Sequence, residues 1–168
     1  LNFGAGYRFN HFAFRNVDFV VHAAALKHVP IAEYNPLEFI KTNIIGSSNI
    51  VTAALDNQVQ KVLALSTDKA VNPINLYGAT KLCAEKIFVD ANAITGGNTT
   101  RFSIVRYGNV LNSRGSIIPL ILKIKSENKK IVPLTDERMT RFFISLNEAA
   151  RFVDKSFKLM DKGEIFIP

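Results

Sequence analysis

The sequence has one cysteine, Cys83, no tryptophan and only six prolines in 168 residues. A lone cysteine cannot close an internal disulfide, which excludes a disulfide-stapled scaffold and favours a reducing compartment. No cysteine or histidine has a partner at metal-ligand spacing, so no metal site is expected. Lys, Asp or Asn interrupts every apolar run within about ten residues, short of the roughly 18 that a membrane span needs, so no membrane association is expected. Leu1-Asn2-Phe3-Gly4 lacks the basic-then-apolar order of a signal peptide. Together these absences predict a cytoplasmic protein. Acidic residues are also scarce: 14 Asp and Glu against 21 Lys and Arg leave a net charge of +7. That balance favours an acidic partner, whether nucleic acid, anionic lipid or a phosphorylated small molecule. Acidic segments outside these residues would offset it equally well.

What is present suffices for a core. The chain is 48% hydrophobic and 21% charged, which excludes disorder and fits one domain. It opens on Leu1 and stops in an extended run, Glu164 to Pro168, so a segment of a longer protein is expected.

Apolar runs alternate with helical patterns. Asp18–His22, 61–66 and 101–106 read as buried strands. Asn35-Pro36 opens a helix whose apolar face is Ile40, Ile44, Val51 and Leu55. A second helix is expected over 76–93, ended by Gly96-Gly97, and a third over 117–128. A short strand is expected at 131–133, an extended run at 142–144, an amphipathic helix over 147–160 and a last strand at 164–167. Strand, helix, strand, helix, strand predicts an α/β fold, a parallel sheet with helices on both faces. Ligands of such sheets bind beyond the carboxyl ends of the strands, here the loops 23–30, 66–76 and 107–116.

The densest chemistry is Ser66-Thr67-Asp68-Lys69 followed by Tyr77 and Lys81. Tyr77 and Lys81, at i and i+4 of a helix start, share a face. An ammonium beside a phenol favours the phenolate and should lower Tyr77. A phenolate can take a proton from an alcohol while hydride leaves the same carbon. Ser66 or Thr67 could hydrogen-bond that alcohol. A carboxyl group at Asp68 can protonate a departing hydroxyl, and an amine at Lys69 can take a proton acidified by a ketone. Alone, Tyr-x-x-x-Lys is common on surface helices; the strand-end hydroxyls upstream make it specific. The other candidates have plainer readings. His22 and Cys83 read as core residues, with His22 satisfied. Lys123, Lys125, Lys129 and Lys130 read as a solvated helix face, because no aromatics interleave them as in nucleic-acid binders. Gly4-Ala5-Gly6 follows no strand and lacks a third glycine, so it is no dinucleotide fingerprint.

Ala23 to Pro30, Ser66 to Lys81, Arg106 to Val110, Arg138 to Phe142 and Gly163 to Pro168 together resemble the extended short-chain dehydrogenases/reductases, and among them the inverting UDP-N-acetylglucosamine 4,6-dehydratases. The resemblance runs from about residue 17 to 168; residues 1–16 show no counterpart. It implies a Rossmann-like fold, with a partial NADP-binding domain and catalytic loop over 1–110 and a partial substrate-binding region over 111–168. It implies NADP as cofactor and UDP-N-acetylglucosamine as substrate, with no nucleic-acid partner and a homo-oligomer at full length. Tyr77 would deprotonate the C4 hydroxyl, with Thr67 on the same oxygen, and Lys81 would hold the nicotinamide ribose. Lys69 would take the C5 proton and Asp68 would protonate the leaving C6 hydroxyl. Ala23, Ala24 and Ala25 would let the cofactor approach, and Asn43 would support Lys81. Asn109, Arg114 and Arg141 would face the UDP-sugar; Lys27 would reach a phosphate or stay in solvent. Without an upstream glycine-rich turn the 168 residues alone are expected to be inactive. Another nucleotide-sugar epimerase or a retaining dehydratase is the nearest alternative, and a non-catalytic NADP-binding scaffold the alternative of another class. The Asp68-Lys69 pair argues against an epimerase, which expels no water.

Overall fold

The computed structural model describes residues 6–94, 99–113, 117–128, 131 and 136–168. Among these the strands are β1 (Phe19–His22), β2 (Lys61–Thr67), β3 (Arg101–Tyr107), β4 (Asn109–Val110), β5 (Phe143–Ile144) and β6 (Ile165–Phe166). The helices are α1 (Tyr7–Ala13), α2 (Val29–Tyr34), α3 (Pro36–Phe39), α4 (Gly46–Asp56), α5 (Leu76–Ala91), α6 (Ile117–Ser126) and α7 (Leu146–Leu159). A parallel sheet runs in the order β1-β2-β3-β6, and β4 pairs with β5 in a second, two-stranded parallel sheet.

Alternation along the strands splits the core between the two faces. Val62, Ala64, Phe102 and Ile104 point to one face, where Ile50, Val51, Ala53 and Ala54 of α4 and Phe88 of α5 cover them. Leu63 and Val105 point to the other, against Met160 and the Phe152, Val153 and Phe157 stripe of α7. The fold is therefore the expected Rossmann-like one. Residues 143–168 return to this sheet through α7 and β6. A capping box at Ser145 and Glu148 starts α7 one residue earlier than the pattern suggests, and Gly163, at φ +79°, turns the chain into β6.

Four local expectations are corrected. β1 is an edge strand among the described residues, so Phe19 and Val21 stay exposed on a strand expected to be buried. The helix after Asn35 is not continuous: a π-helical turn, Ile40–Ile45, separates α3 from α4. That extra residue per turn shifts the inward face from Ile40 and Ile44 to Thr42 and Asn43. Cys83 is exposed on α5 rather than in the core. α1 and α2 carry no clear sequence signal; α1 is held to α4 by Tyr7, whose hydroxyl donates to Asp56 at 2.6 Å. Gly96-Gly97 and most of the 131–133 strand lie outside the described residues. No helix among the described residues is long and apolar enough to cross a membrane.

Candidate active site

A cavity of about 430 Å³ opens beyond the carboxyl ends of β1, β2 and β3. Its wall carries Thr67, Lys69, Tyr77, Lys81 and Asn109, with Ala23, Ala25 and Lys27 on the β1 side. Three elements bring these together. β2 and β3 run in register, so Thr67 stands opposite Tyr107 at the last rung. α5 starts where the Asn75 side chain accepts from the Gly78 N–H at 2.8 Å. Gly78 lets this helix press on the loop before it: a Cβ there would lie 2.2 Å from the Lys69 carbonyl oxygen and 3.0 Å from Pro73 Cβ. Asn109 starts β4, and its N–H donates to the Phe142 carbonyl at 2.8 Å.

The polar groups form a linked set. The Lys69 ammonium donates to Asp68 Oδ1 at 3.0 Å and to Asn109 Oδ1 at 2.9 Å. The Thr67 hydroxyl donates to the same Asp68 oxygen at 2.9 Å. Asp68 itself faces a second cavity, of about 600 Å³, lined by Tyr107, Phe142, Phe143 and Phe152.

Burial raises the Tyr77 phenol above its ordinary 10; contact with the Thr67 hydroxyl pulls it back, and the negative charge of Asp68 adds to the rise. The lowering expected from Lys81 is absent. The Lys81 ammonium donates to the Leu65 carbonyl at 2.8 Å instead, and burial brings it down to about 8, against an upward pull from Glu85. An ammonium turned to a carbonyl and facing a carboxylate has little field left for the phenol.

Several expected contacts take other places. Ser66 touches the cavity but is largely buried, and its hydroxyl proton is given to Glu85 Oε1. Asn43 is set back from the cavity. Its side chain clamps both backbone groups of Leu26, each at 2.9 Å, and donates to Thr80 Oγ1 at 3.1 Å. It thereby ties the loop after β1 to α5 and makes no direct bond to Lys81 among the described residues. Ala24 lies off the cavity wall, between the two alanines that form it. Arg141 is exposed and donates to the Thr140 carbonyl at 2.7 Å, away from both cavities. Arg114 lies outside the described residues. His22 is buried against Phe88, but no described group bonds its Nε2, so it is not satisfied as expected.

Two groups escaped the sequence reading. Tyr107 stands on the cavity wall beside Asn109, a position only the strand register reveals. Buried Glu85 forms an ion pair with half-buried Arg106 beneath the site, with Arg106 Nε at 3.1 Å from Glu85 Oε1. Its signal was the i, i+4 spacing of Lys81 and Glu85.

Residues 8–168 match the family described as polysaccharide biosynthesis protein, and the chain belongs to that family. It is 60% identical over 156 residues to an inverting UDP-N-acetylglucosamine 4,6-dehydratase of Campylobacter jejuni, covering 93% of this chain and 47% of that protein. The chain thus spans about half the length of the curated relatives it matches. The X-ray structure of Pen from Bacillus thuringiensis superposes with a TM-score of 0.92 at 44% identity, covering 96% of this chain and 50% of that one. A double mutant of DesIV, a dTDP-glucose 4,6-dehydratase from Streptomyces venezuelae solved with NAD bound, superposes with a TM-score of 0.85 at 20% identity. It covers 96% of this chain and 55% of the other, a likeness of fold alone.

Proposed function

We propose that this chain carries the catalytic half of an enzyme that dehydrates UDP-N-acetylglucosamine to a 4-keto-6-deoxy sugar nucleotide with inversion at C5, for surface polysaccharide. The observation that carries this reading is the convergence of Tyr77 and Lys69 on one cavity wall, with Asp68, which faces the neighbouring cavity, hydrogen-bonded to Lys69 and Thr67 of that wall. An oxidoreductase acting on a simple alcohol uses the phenol and has no need of the pair. The cofactor is a nicotinamide dinucleotide, NADP by the family resemblance, and the residues fit it. Ala23 and Ala25 present only methyl groups along the carboxyl end of β1, where a backbone-close ligand needs room. Lys81 spends one of its three donors on Leu65 and can offer another to a ribose hydroxyl. When bound, the cofactor would supply a hydride acceptor for C4 and a hydride donor for C6.

The chain's own residues then do the following. Tyr77, as phenolate, takes the proton of the C4 hydroxyl, and Thr67 hydrogen-bonds the same oxygen. The C4 ketone acidifies the C5 hydrogen. Lys69, as neutral amine, takes that proton, and Asp68, as carboxylic acid, gives one to the C6 hydroxyl, which leaves as water. Once hydride has returned at C6, C5 takes a solvent-derived proton on the opposite face, which inverts it, and Tyr77 releases its proton to solvent. Amine plus acid is the ion pair with one proton moved, and the 3.0 Å contact between Nζ and Oδ1 is the path for it. Substrate that closes the cavity removes the water that favours the charged form. Lys27 and Asn109 are the substrate contacts at the rim. The cofactor side takes in residues 1–110 and, against the division expected at 110, also 143–168, which return to the larger sheet through α7 and β6; the substrate side begins within 111–142. The whole protein works in the cytoplasm as a homo-oligomer, for which the exposed Tyr34, Leu37 and Ile74 offer apolar surface.

The test is an NMR time course of the whole protein with UDP-N-acetylglucosamine. A new C6 methyl signal with loss of the C4 proton is expected. Conversion to the C4 epimer with C6 still hydroxylated would replace dehydration by epimerisation.

A further inference from the structure

Beneath the cavity lies a carboxylate that the proposed reaction does not use. Glu85 is 2% exposed, two turns along α5 from Tyr77 and one from Lys81. Its Oε1 accepts from the Ser66 hydroxyl at 2.5 Å and from Arg106 Nε at 3.1 Å, and its Oε2 accepts from the other arm of the guanidinium. Ser66 and Arg106 are register partners on β2 and β3, on the rung just below Thr67 and Tyr107. One carboxylate therefore fastens the helix that carries Tyr77 and Lys81 to both strands that carry their counterparts.

Burying a carboxylate is an expensive way to join a helix to a sheet, since apolar residues of the same volume avoid its desolvation. What the ion pair adds is direction: a two-pronged guanidinium and a hydroxyl fix the carboxylate in both rotation and slide. Slide is what this site is sensitive to. The phenol of Tyr77 meets Thr67, with Tyr107 beside it, on the rung above, so a shift of α5 along the strands changes that meeting directly.

We propose that Glu85, through Arg106 and Ser66, is a positioning residue that sets the register of Tyr77 and Lys81 against Thr67. Its consequence for turnover rests on the function proposed above; its consequence for the phenol does not. Glu85→Gln keeps the shape and one acceptor but loses the charge. Glu85→Ala removes every tether at once, so Ser66→Ala is the milder companion, removing one tether while the ion pair stays.

The readout independent of any reaction is the titration of Tyr77, followed in the whole protein by carbon-13 labelled tyrosine and assigned with Tyr77→Phe. In Glu85→Gln the Tyr77 titration is expected to fall toward its ordinary range as the phenol loses its packed position, with a smaller fall in Ser66→Ala. The second readout is turnover of UDP-N-acetylglucosamine. Displacements near 1 Å cost about 100-fold in rate, so a 10- to 100-fold lower kcat with KM changed less than about threefold is expected. The alkaline limb of the pH profile should also move down, because Lys81 loses the facing Glu85 carboxylate while His22 on β1 adds none. A shifted phenol in a whole protein that does not dehydrate the sugar would refute the proposed function and leave the positioning role standing. A Tyr77 titration and a kcat both unchanged in folded Glu85→Gln would overturn the positioning role.

Discussion

Lys69 and Asn109, forty residues apart in sequence, meet through a 2.9 Å hydrogen bond from the lysine ammonium to the asparagine side-chain oxygen. Asn109 is fixed by backbone pairing of β4 with β5. The small sheet thus aims the lysine that the larger sheet delivers. The amine is held by Asp68 from one side and Asn109 from the other, so its position does not depend on a flexible stem finding the sugar.

Lys69→Ala should therefore separate the two halves of the reaction. C4 oxidation needs Tyr77 and not Lys69, so cofactor reduction at 340 nm should persist while dehydrated product falls by at least about 100-fold. Asn109→Ala should give a milder loss, about tenfold, with oxidation intact. Equal loss of both half-reactions in Lys69→Ala would mean that the lysine acts on binding.

Gly78→Ala should damage the site from a distance. The added methyl would meet the Lys69 carbonyl at 2.2 Å, a backbone atom that cannot rotate away. Overpacking of this kind costs about 1–3 kcal/mol. Here it also moves Lys69 against Tyr77. A lower melting temperature with loss of activity beyond the loss of folded protein is expected; an unchanged melting temperature would contradict the packing described.

Lys81 is predicted to stabilise function at the expense of the fold. Burial lowers its folded value from 10.5 to about 8. Between those limits the unfolded chain binds a proton that the folded chain does not, so stability rises with pH through that window and is lowest below pH 8. Lys81→Met removes the buried charge and should raise the urea midpoint at pH 7, by an equivalent of about 1–3 kcal/mol, while abolishing turnover. A destabilised Lys81→Met at pH 7 would show that the bond to Leu65 outweighs desolvation.

His22 sets an acid limit. Burial is the main cause that brings it down to about 4, with the nearby Lys81 charge adding to it. As pH falls from 6.5 toward 4, the unfolded chain takes up a proton that the folded chain refuses, and stability is lost by up to about 3 kcal/mol. His22→Leu should flatten that limb of a urea midpoint against pH curve. Parallel curves for the two proteins would remove His22 as its source.

The strands were legible as short apolar runs bounded by loops, and the long helix α5 as a helical stretch of more than a dozen residues between two loops. The Thr67-to-Lys81 chemistry was legible because its members lie within fifteen residues on adjacent ends of one strand and one helix. What failed needed partners that local sequence does not hold. Asn43 looked like a lysine contact until the π-helical turn directed it to Leu26. Tyr77 looked acidified because spacing reports that Lys81 is near, not that its ammonium bonds Leu65. Cys83 looked buried because an apolar helix predicts a buried face without saying which residue falls off it. The expected phosphate contact at Arg141 rested on motif likeness; the structure turns that guanidinium toward its own backbone.

The most direct measurement of whether Tyr77 and Lys69 serve one sugar ring is isotope tracing with UDP-N-acetylglucosamine deuterated at C4 and C5, mixed with a carbon-13 substrate, in ordinary water. The label should move from C4 to the C6 methyl group of the same molecule, without crossing to the carbon-13 population, and with the C5 hydrogen exchanged for solvent. Deuterium returning to C4, with C5 unexchanged and C6 still carrying its oxygen, would contradict the assignment.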